Sequence, residues 1–224
     1  MKFANWTPVS FERVTGINGF WKDRMDAVRE TTVRVCLDYC KSTGRIANFR
    51  KAAGWEQGAH QGIYFDDSDV YKVLEGVAYL LTDGRCPALE QEADEIIDAI
   101  CAAQWDDGYI NTYYTLTDRK KRWTDMARHE AYCIGHMVEG AIAYAQATGK
   151  TKWLDTAIRA VKHMMDVFGP GKKGSNLGGG KAGDAAADFG DQECEFGVAS
   201  GEIDELVHVG FDGIGAAVHG GDGV

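Results

Sequence analysis

Long apolar runs are missing from this chain. No stretch approaches the roughly 20 apolar residues of a membrane-spanning helix, so no membrane is expected as a partner. The N-terminus, MKFANWTPVSFERV, has no apolar core of the roughly 7–15 residues that a secretory signal carries. The expected compartment is therefore the reducing cytoplasm. Positive charge is scarce: 24 Lys and Arg stand against 34 Asp and Glu, a net charge of −10. A field of that sign repels phosphate backbones and argues against nucleic acid as a partner. No C-x-x-C pair occurs among the six cysteines. In a reducing setting they are thiols, ligands or small core residues rather than a disulfide frame. A P-loop, a G-x-G-x-x-G after a strand and a G-x-S-x-G elbow are also lacking. Gly178-Gly-Gly180 is low complexity, not a phosphate cradle.

Aromatic residues are unevenly absent. Residues 169–224 hold none of the 6 Trp and none of the 9 Tyr, but 16 of the 28 Gly. They carry −7 of the net −10. A Gly-rich, acidic, Trp-free segment buries too little apolar surface to offset its ordering entropy. The expected organisation is a domain over 1–170 and a low-order tail over 171–224 that does not belong to it. The 224 residues have room for one ordinary domain or two small ones.

Within the first 168 residues no alternating strand pattern appears, and apolar residues recur at spacings of three and four. Met25, Val28, Thr32, Val35 and Tyr39 make one stripe over 22–41. Val70, Leu74, Val77 and Leu81 make another, with Asp67 or Ser68 as cap and Gly84 as stop. Pro87 opens a third helix, whose core face is Leu89, Ala93, Ile96, Ile100 and Cys101. A fourth runs from Met126 to Thr148 and ends at Gly149. A fifth, from Thr151 to Phe168, turns Leu154, Ile158, Val161, Met165 and Phe168 inward and stops at Gly169-Pro170. Short links alternate with two long aromatic-rich ones, Gly44–Ser68 and Trp105–Asp125. Loops beyond about 12–15 residues are usually functional. The expected fold class is all-α, a toroid of helical hairpins with a binding face. Five helices are too few to close a barrel of six hairpins.

Three motifs carry chemistry. Gly62-Ile-Tyr-Phe-Asp-Asp-Ser-Asp-Val-Tyr-Lys72 crowds carboxylates at a helix start. Capping accounts for one or two of them, since acidic groups favour a helix N-terminus; the adjacent Tyr64, Phe65 and Tyr71 are left over. Gln104-Trp-Asp-Asp-Gly-Tyr-Ile-Asn-Thr-Tyr-Tyr114 sets rings beside amide and carboxylate groups around an Asp107-Gly108 turn. That mixture suits a sugar, and equally a turn pinned by buried rings. In His129-Glu-Ala-Tyr-Cys-Ile-Gly-His136, the spacing of His129, Cys133 and His136 puts them on one helix face. Three such groups are a metal half-site or a polar stripe; a structural zinc needs four ligands. Gly135 and Gly140 weaken that helix by about 1 kcal/mol each and point to close approach of a helix or ligand.

The ordered set of motifs resembles glycoside hydrolase family 127, the β-L-arabinofuranosidase family, in its N-terminal part. The matching elements are Gly19-Phe-Trp-Lys-Asp-Arg24, Asn48-Phe-Arg-Lys-Ala-Ala-Gly54 and Phe65-Asp-Asp-Ser-Asp-Val-Tyr-Lys-Val-Leu-Glu75. Ala103-Gln-Trp-Asp-Asp-Gly-Tyr-Ile110, Arg122-Trp123, His129 through Glu139 and Phe168-Gly-Pro170 follow in order. Val73 and Gly76 depart from the family's usual Trp and Ala. The resemblance implies an incomplete (α/α)6 barrel followed by the Gly-rich tail. It implies an activity that removes terminal β-L-arabinofuranosyl units with retention, on a small carbohydrate, an arabinofuranoside. The family's nucleophile is a zinc-held Cys thiolate, its acid/base a Glu, and its zinc ligands further Cys and Glu. All lie beyond the matched region. This chain continues instead as Gly171-Lys-Lys-Gly-Ser-Asn-Leu177. No catalytic residue, no metal ligand and no zinc are therefore expected in it, and Glu193, Cys194 and Glu195 are not recruited. His136 matches a family His that contacts the sugar ring. His129, Asp67, Asp69, Gln104 and Asp107 are the further substrate-binding candidates, lining the pocket or holding the groups that line it, with Asp69 equally a helix cap. The rival readings are a non-catalytic sugar-binding or assembly half-barrel that self-associates through exposed helix faces, and another α/α-toroid sugar enzyme.

Overall fold

A computed structural model describes residues 9, 11–14, 17–82 and 86–168. The expected stops at Gly84 and at Gly169-Pro170, and the tail over 171–224, lie outside the described residues. The packing below is that of the unit ending at Val161.

Every element among the described residues is helical. The helices are α1 (Phe20–Ala27), α2 (Val33–Ser42), α3 (Arg45–Ala52), α4 (Asp67–Thr82), α5 (Pro87–Ala102), α6 (Thr112–Leu116), α7 (Glu130–Thr148) and α8 (Lys152–Val167). The most extensive helix pair is α4 with α7. The α4 stripe Val70, Leu74, Val77 and Leu81 is buried as its spacing predicts, joined by Tyr71 and Ala78. From α7, Cys133, Ile134, Met137, Ala141 and Tyr144 are buried. Pro87 sits in the first turn of α5, where its missing N–H leaves no bond unmade. Leu89, Ala93, Ile96 and Ile100 form the core face of α5; Cys101 is only half-buried. Tyr144 Oη donates to Asp94 at 2.8 Å, and Lys150 pairs with Glu90 at 2.8 Å, tying α7 to α5.

Gly140 is where α7 comes close to its neighbours. A Cβ there would lie 2.6 Å from Trp153 Cη2 and 3.1 Å from the Tyr71 carbonyl. Trp153 is buried among Tyr71 and Tyr144 and has no room to recede. Gly140→Ala gains about 1 kcal/mol of helix propensity but overpacks the seam by about 1–3 kcal/mol. The expected net result is a loss of about 1 kcal/mol, read as a lower urea midpoint at unchanged slope. A midpoint at or above wild type would show that the seam is loose.

The structure corrects four sequence expectations. Over 22–41, a π turn at Val28–Thr32 separates α1 from α2. Its i→i+5 bonding inserts an extra residue into the turn and rotates the face that follows. Val33, Leu37 and Cys40 are buried, while Val28, Val35 and Tyr39 are exposed. The helix expected from Met126 breaks at His129, whose backbone is left-handed at φ 59°, into a 3₁₀ turn (Met126–Arg128) and α7. The inward face of α8 is Trp153, Leu154, Ala157 and Ala160, because the largest side chain takes the core position. Ile158, Val161 and Phe168 are half-buried and Met165 is exposed. Finally, α3 and α6 lie within the two links expected to be loops.

Candidate functional site

Both long links lead into the N-terminal ends of α4 and α7, which run in parallel. The pairing of Cys133 with the Phe65 carbonyl (3.6 Å) and of Lys72 with the Tyr132 hydroxyl sets this register. At that end the links lay down a continuous row of rings. His60 meets Tyr113 at 5.3 Å, Tyr113 meets Tyr64 at 6.2 Å, and Tyr64 meets His129 at 5.9 Å. Phe65 stacks on His129 at 5.4 Å. His129 meets Tyr132 at 5.6 Å, and Tyr132 meets His136 at 4.5 Å. Arg128 lies over the Tyr64 ring and Lys72 over the Tyr132 ring, each at 4.7 Å. Ring faces and edges interleaved with imidazole nitrogens, hydroxyls and cations offer stacking and hydrogen bonds side by side.

Two of the six expected binding residues stand in this row. His136 is half-buried, with Nδ1 3.0 Å from Glu139 Oε2. Burial and then the nearby Lys72 charge lower its pKa, with Glu75 acting in the opposite sense. Both effects favour the neutral imidazole. His129 Nδ1 is 2.8 Å from the Ala127 carbonyl, which can only accept, so Nδ1 carries the proton.

The other four are held by the protein itself. Asp67 is buried and accepts from Thr112 N at 2.8 Å and Thr112 Oγ1 at 2.5 Å, tying α4 to α6 directly beside Tyr113. Burial pushes its carboxyl up to about 6 against the lowering effect of those bonds. Asp69 accepts from Arg45 Nε at 2.8 Å, and so faces α3. Neither Asp67 nor Ser68 caps α4 with its side chain; Ser68 Oγ donates to the Phe65 carbonyl instead. Gln104 Nε2 donates to the Gly108 and Thr156 carbonyls, each at 2.9 Å, and its Oε1 accepts from Arg159. Asp107 accepts from Tyr109 N at 3.1 Å and from Arg122 at 2.5 Å, which closes the expected turn.

Sequence reasoning left Glu130 without a role. It is buried, and its two oxygens accept from Trp123 N at 3.1 and 2.9 Å, while Tyr109 Oη donates to it at 2.5 Å. Trp123 and His129 are the two non-glycine residues of positive φ among the described residues, at 56° and 59°. Bulky residues are uncommon there. A single carboxylate thus fixes the end of one long link and adjoins the bend that aims His129. A Glu in the first turn of a helix reads as an ordinary dipole partner, so spacing gave no signal of this role. Tyr132 and Glu139 reach His136 by the i−4 and i+3 spacing of α7, and the α4–α7 register adds Lys72.

His129, Cys133 and His136 do not converge. The break at His129 takes it off the helix, and the Cys133 thiol is buried against the Phe65 carbonyl with its pKa pushed well above the ordinary range by burial. Burial also raises Cys40 to about 11 and raises Cys101. Among the described residues, no three His, Cys, Asp or Glu are placed to hold a metal ion.

The profile described as the β-L-arabinofuranosidase, GH127 catalytic domain, matches residues 13–187. The chain belongs to glycoside hydrolase family 127. A relative, the non-reducing end β-L-arabinofuranosidase of Bifidobacterium longum subsp. longum, is 33% identical over 70% of this chain and 28% of its own. The crystal structure of a GH127 β-L-arabinofuranosidase from Geobacillus stearothermophilus T6 superposes with a TM-score of 0.69 at 37% identity. It covers 81% of this chain and 31% of that one. A second GH127 β-arabinofuranosidase structure gives 0.68 at 34% identity, over 84% of this chain and 32% of its own. The chain thus spans less than a third of the length of each relative. Its all-α fold is a part of the family-127 (α/α)6 barrel. No helix among the described residues is long and apolar enough to cross a membrane.

Proposed function

We propose that this chain contributes the sugar-binding part of a β-L-arabinofuranosidase site and not its bond-breaking groups. The observation that carries the reading is the ring row at the N-terminal ends of α4 and α7, with the His129 and His136 imidazoles in it. Rings stack on the C–H faces of a furanoside, and the imidazoles take its hydroxyls. Asp67 and Glu130 hold the loops that carry the rings; Asp107, Gln104 and Asp69 brace the turns and helices behind them. The nucleophile, the acid/base and the zinc ligands of the family stay outside this proposal for the chain. Cys133 is buried with its thiol on the Phe65 carbonyl, which supports that exclusion for this residue. Unpaired Cys36, Cys40, Cys86, Cys101 and Cys133 support a reducing, cytoplasmic setting.

The test is hydrolysis of p-nitrophenyl β-L-arabinofuranoside by the purified chain with zinc and a reductant. The expected result is no turnover above the uncatalysed rate. Turnover lost on His136→Ala would overturn the division between binding and chemistry.

A second reading concerns association. Phe20, Trp21, Val28, Val35 and Tyr39 are exposed on α1, the π turn and α2. Apolar side chains so exposed favour pairing with a second copy of the chain. Light scattering after size exclusion is expected to give a mass above the 24.5 kDa monomer. A monodisperse, cooperatively melting monomer would contradict it.

A further inference from the structure

We propose that Glu139 is a positioning residue that fixes the tautomer and ring orientation of His136, so that Nε2 faces the ligand as a bare acceptor. This deepens, and its binding arm rests on, the sugar-binding reading above. Glu139 Oε2 lies 3.0 Å from His136 Nδ1, one helical turn along α7. An ionised carboxylate only accepts, so the proton between them belongs to Nδ1. In a neutral imidazole the other nitrogen is then an acceptor. The neutrality has a physical source: the ring is half-buried, and Lys72 on α4 disfavours a second positive charge, against Glu75 on the same helix. Tyr132, edge-on to the ring at 4.5 Å, blocks one side of it and limits its rotation.

The chemistry follows from the roles. A bare Nε2 accepts from a group that carries a proton, so it selects a ligand hydroxyl over an ether or carbonyl oxygen. The His129 ring is set the same way, with its Nδ1 proton on the Ala127 carbonyl. One imidazole of the row is thus oriented by backbone and the other by a side chain. The side-chain device can be removed without touching the core, because Glu139 is exposed.

The test is nitrogen-15 NMR of the histidine rings in the full chain at pH 7.5 without ligand, followed by titration with methyl β-L-arabinofuranoside. In wild type, His136 is expected to show a protonated Nδ1 and a bare Nε2. Glu139→Ala is expected to move the proton to Nε2. Glu139→Gln is expected to restore the wild-type pattern, because its carboxamide oxygen also accepts. Binding is expected to weaken about fivefold in the alanine variant, the scale of one hydrogen bond, and to recover in the glutamine variant. A hydroxyl can also accept, so this loss is smaller than that from removing the imidazole. A wild-type His136 protonated at Nε2, or one unmoved by Glu139→Ala, overturns the proposal. Saccharide binding absent in all variants, with the tautomer behaving as expected, would overturn the sugar-binding reading and leave the Glu139 assignment standing.

Discussion

Glu130→Ala is expected to destabilise the fold by about 3 kcal/mol. The substitution takes from Trp123 N and from Tyr109 Oη the acceptor they share, inside a buried region. A buried donor that loses its acceptor costs about 1–3 kcal/mol, and two are affected. Trp123 and His129 also lose the group that holds the backbone near their left-handed conformations. Such conformations cost about 1–3 kcal/mol each and persist only when their surroundings over-determine them. The end of the Trp105–Asp125 link should loosen with the same substitution. Urea unfolding read by far-ultraviolet circular dichroism gives the size of the loss. Near-ultraviolet dichroism of the Trp and Tyr residues gives the loosening. Glu130→Gln keeps one acceptor oxygen and should lose less than half as much. Equal stability of wild type and Glu130→Ala would mean that the carboxylate is not the clamp.

Asp67 gives the second large effect, and it depends on pH. Its carboxyl is raised from 3.8 to about 6, with burial outweighing the two bonds from Thr112. A folded-state value above the unfolded one means that the native chain holds the proton more tightly. The stabilisation is then fully present below about pH 4 and is lost as pH rises through about 6. Two units correspond to on the order of 2–3 kcal/mol. Asp67→Asn removes the titration and keeps both contacts, since its oxygen accepts from Thr112 N and its amide donates to Thr112 Oγ1. The stability of Asp67→Asn minus that of wild type is expected to rise by on the order of 2–3 kcal/mol between pH 4 and pH 7. This difference cancels the other carboxylates. A difference independent of pH would show that Asp67 ionises in the folded chain as it does in the unfolded one.

Much of the fold was legible because its central helices bury one stripe each. The α4 and α5 faces follow spacings of three and four, and Pro87 and Gly149 mark ends by backbone chemistry alone. Two of the misreadings share a cause. Periodicity assumes an unbroken helix, and neither the π turn at Val28–Thr32 nor the left-handed His129 has a residue signature. The bend at His129 adjoins Glu130, which Trp123 and Tyr109 of the long link hold in place. The candidate site was legible as motifs but not as geometry. His129, Tyr132 and His136 follow one another along α7, and the α4–α7 register adds Tyr64, Phe65 and Lys72 to that row. Asp67, Asp69, Gln104 and Asp107 carry the same polar groups that a sugar would need. The structure gives those groups to Thr112, Arg45, Thr156 and Arg122. A carboxylate that braces a loop and one that grips a hydroxyl look alike in sequence.

The most direct test is a titration of the chain with methyl β-L-arabinofuranoside, followed on the histidine ring resonances. Wild type is expected to bind saturably in the millimolar range, about −4 kcal/mol, as suits a small ligand held by part of a pocket. His136 and His129 should shift together, and His136→Ala should weaken binding about tenfold. Absence of saturable binding, or equal binding by His136→Ala, would contradict the claim that this end of α4 and α7 is an arabinofuranoside-binding surface.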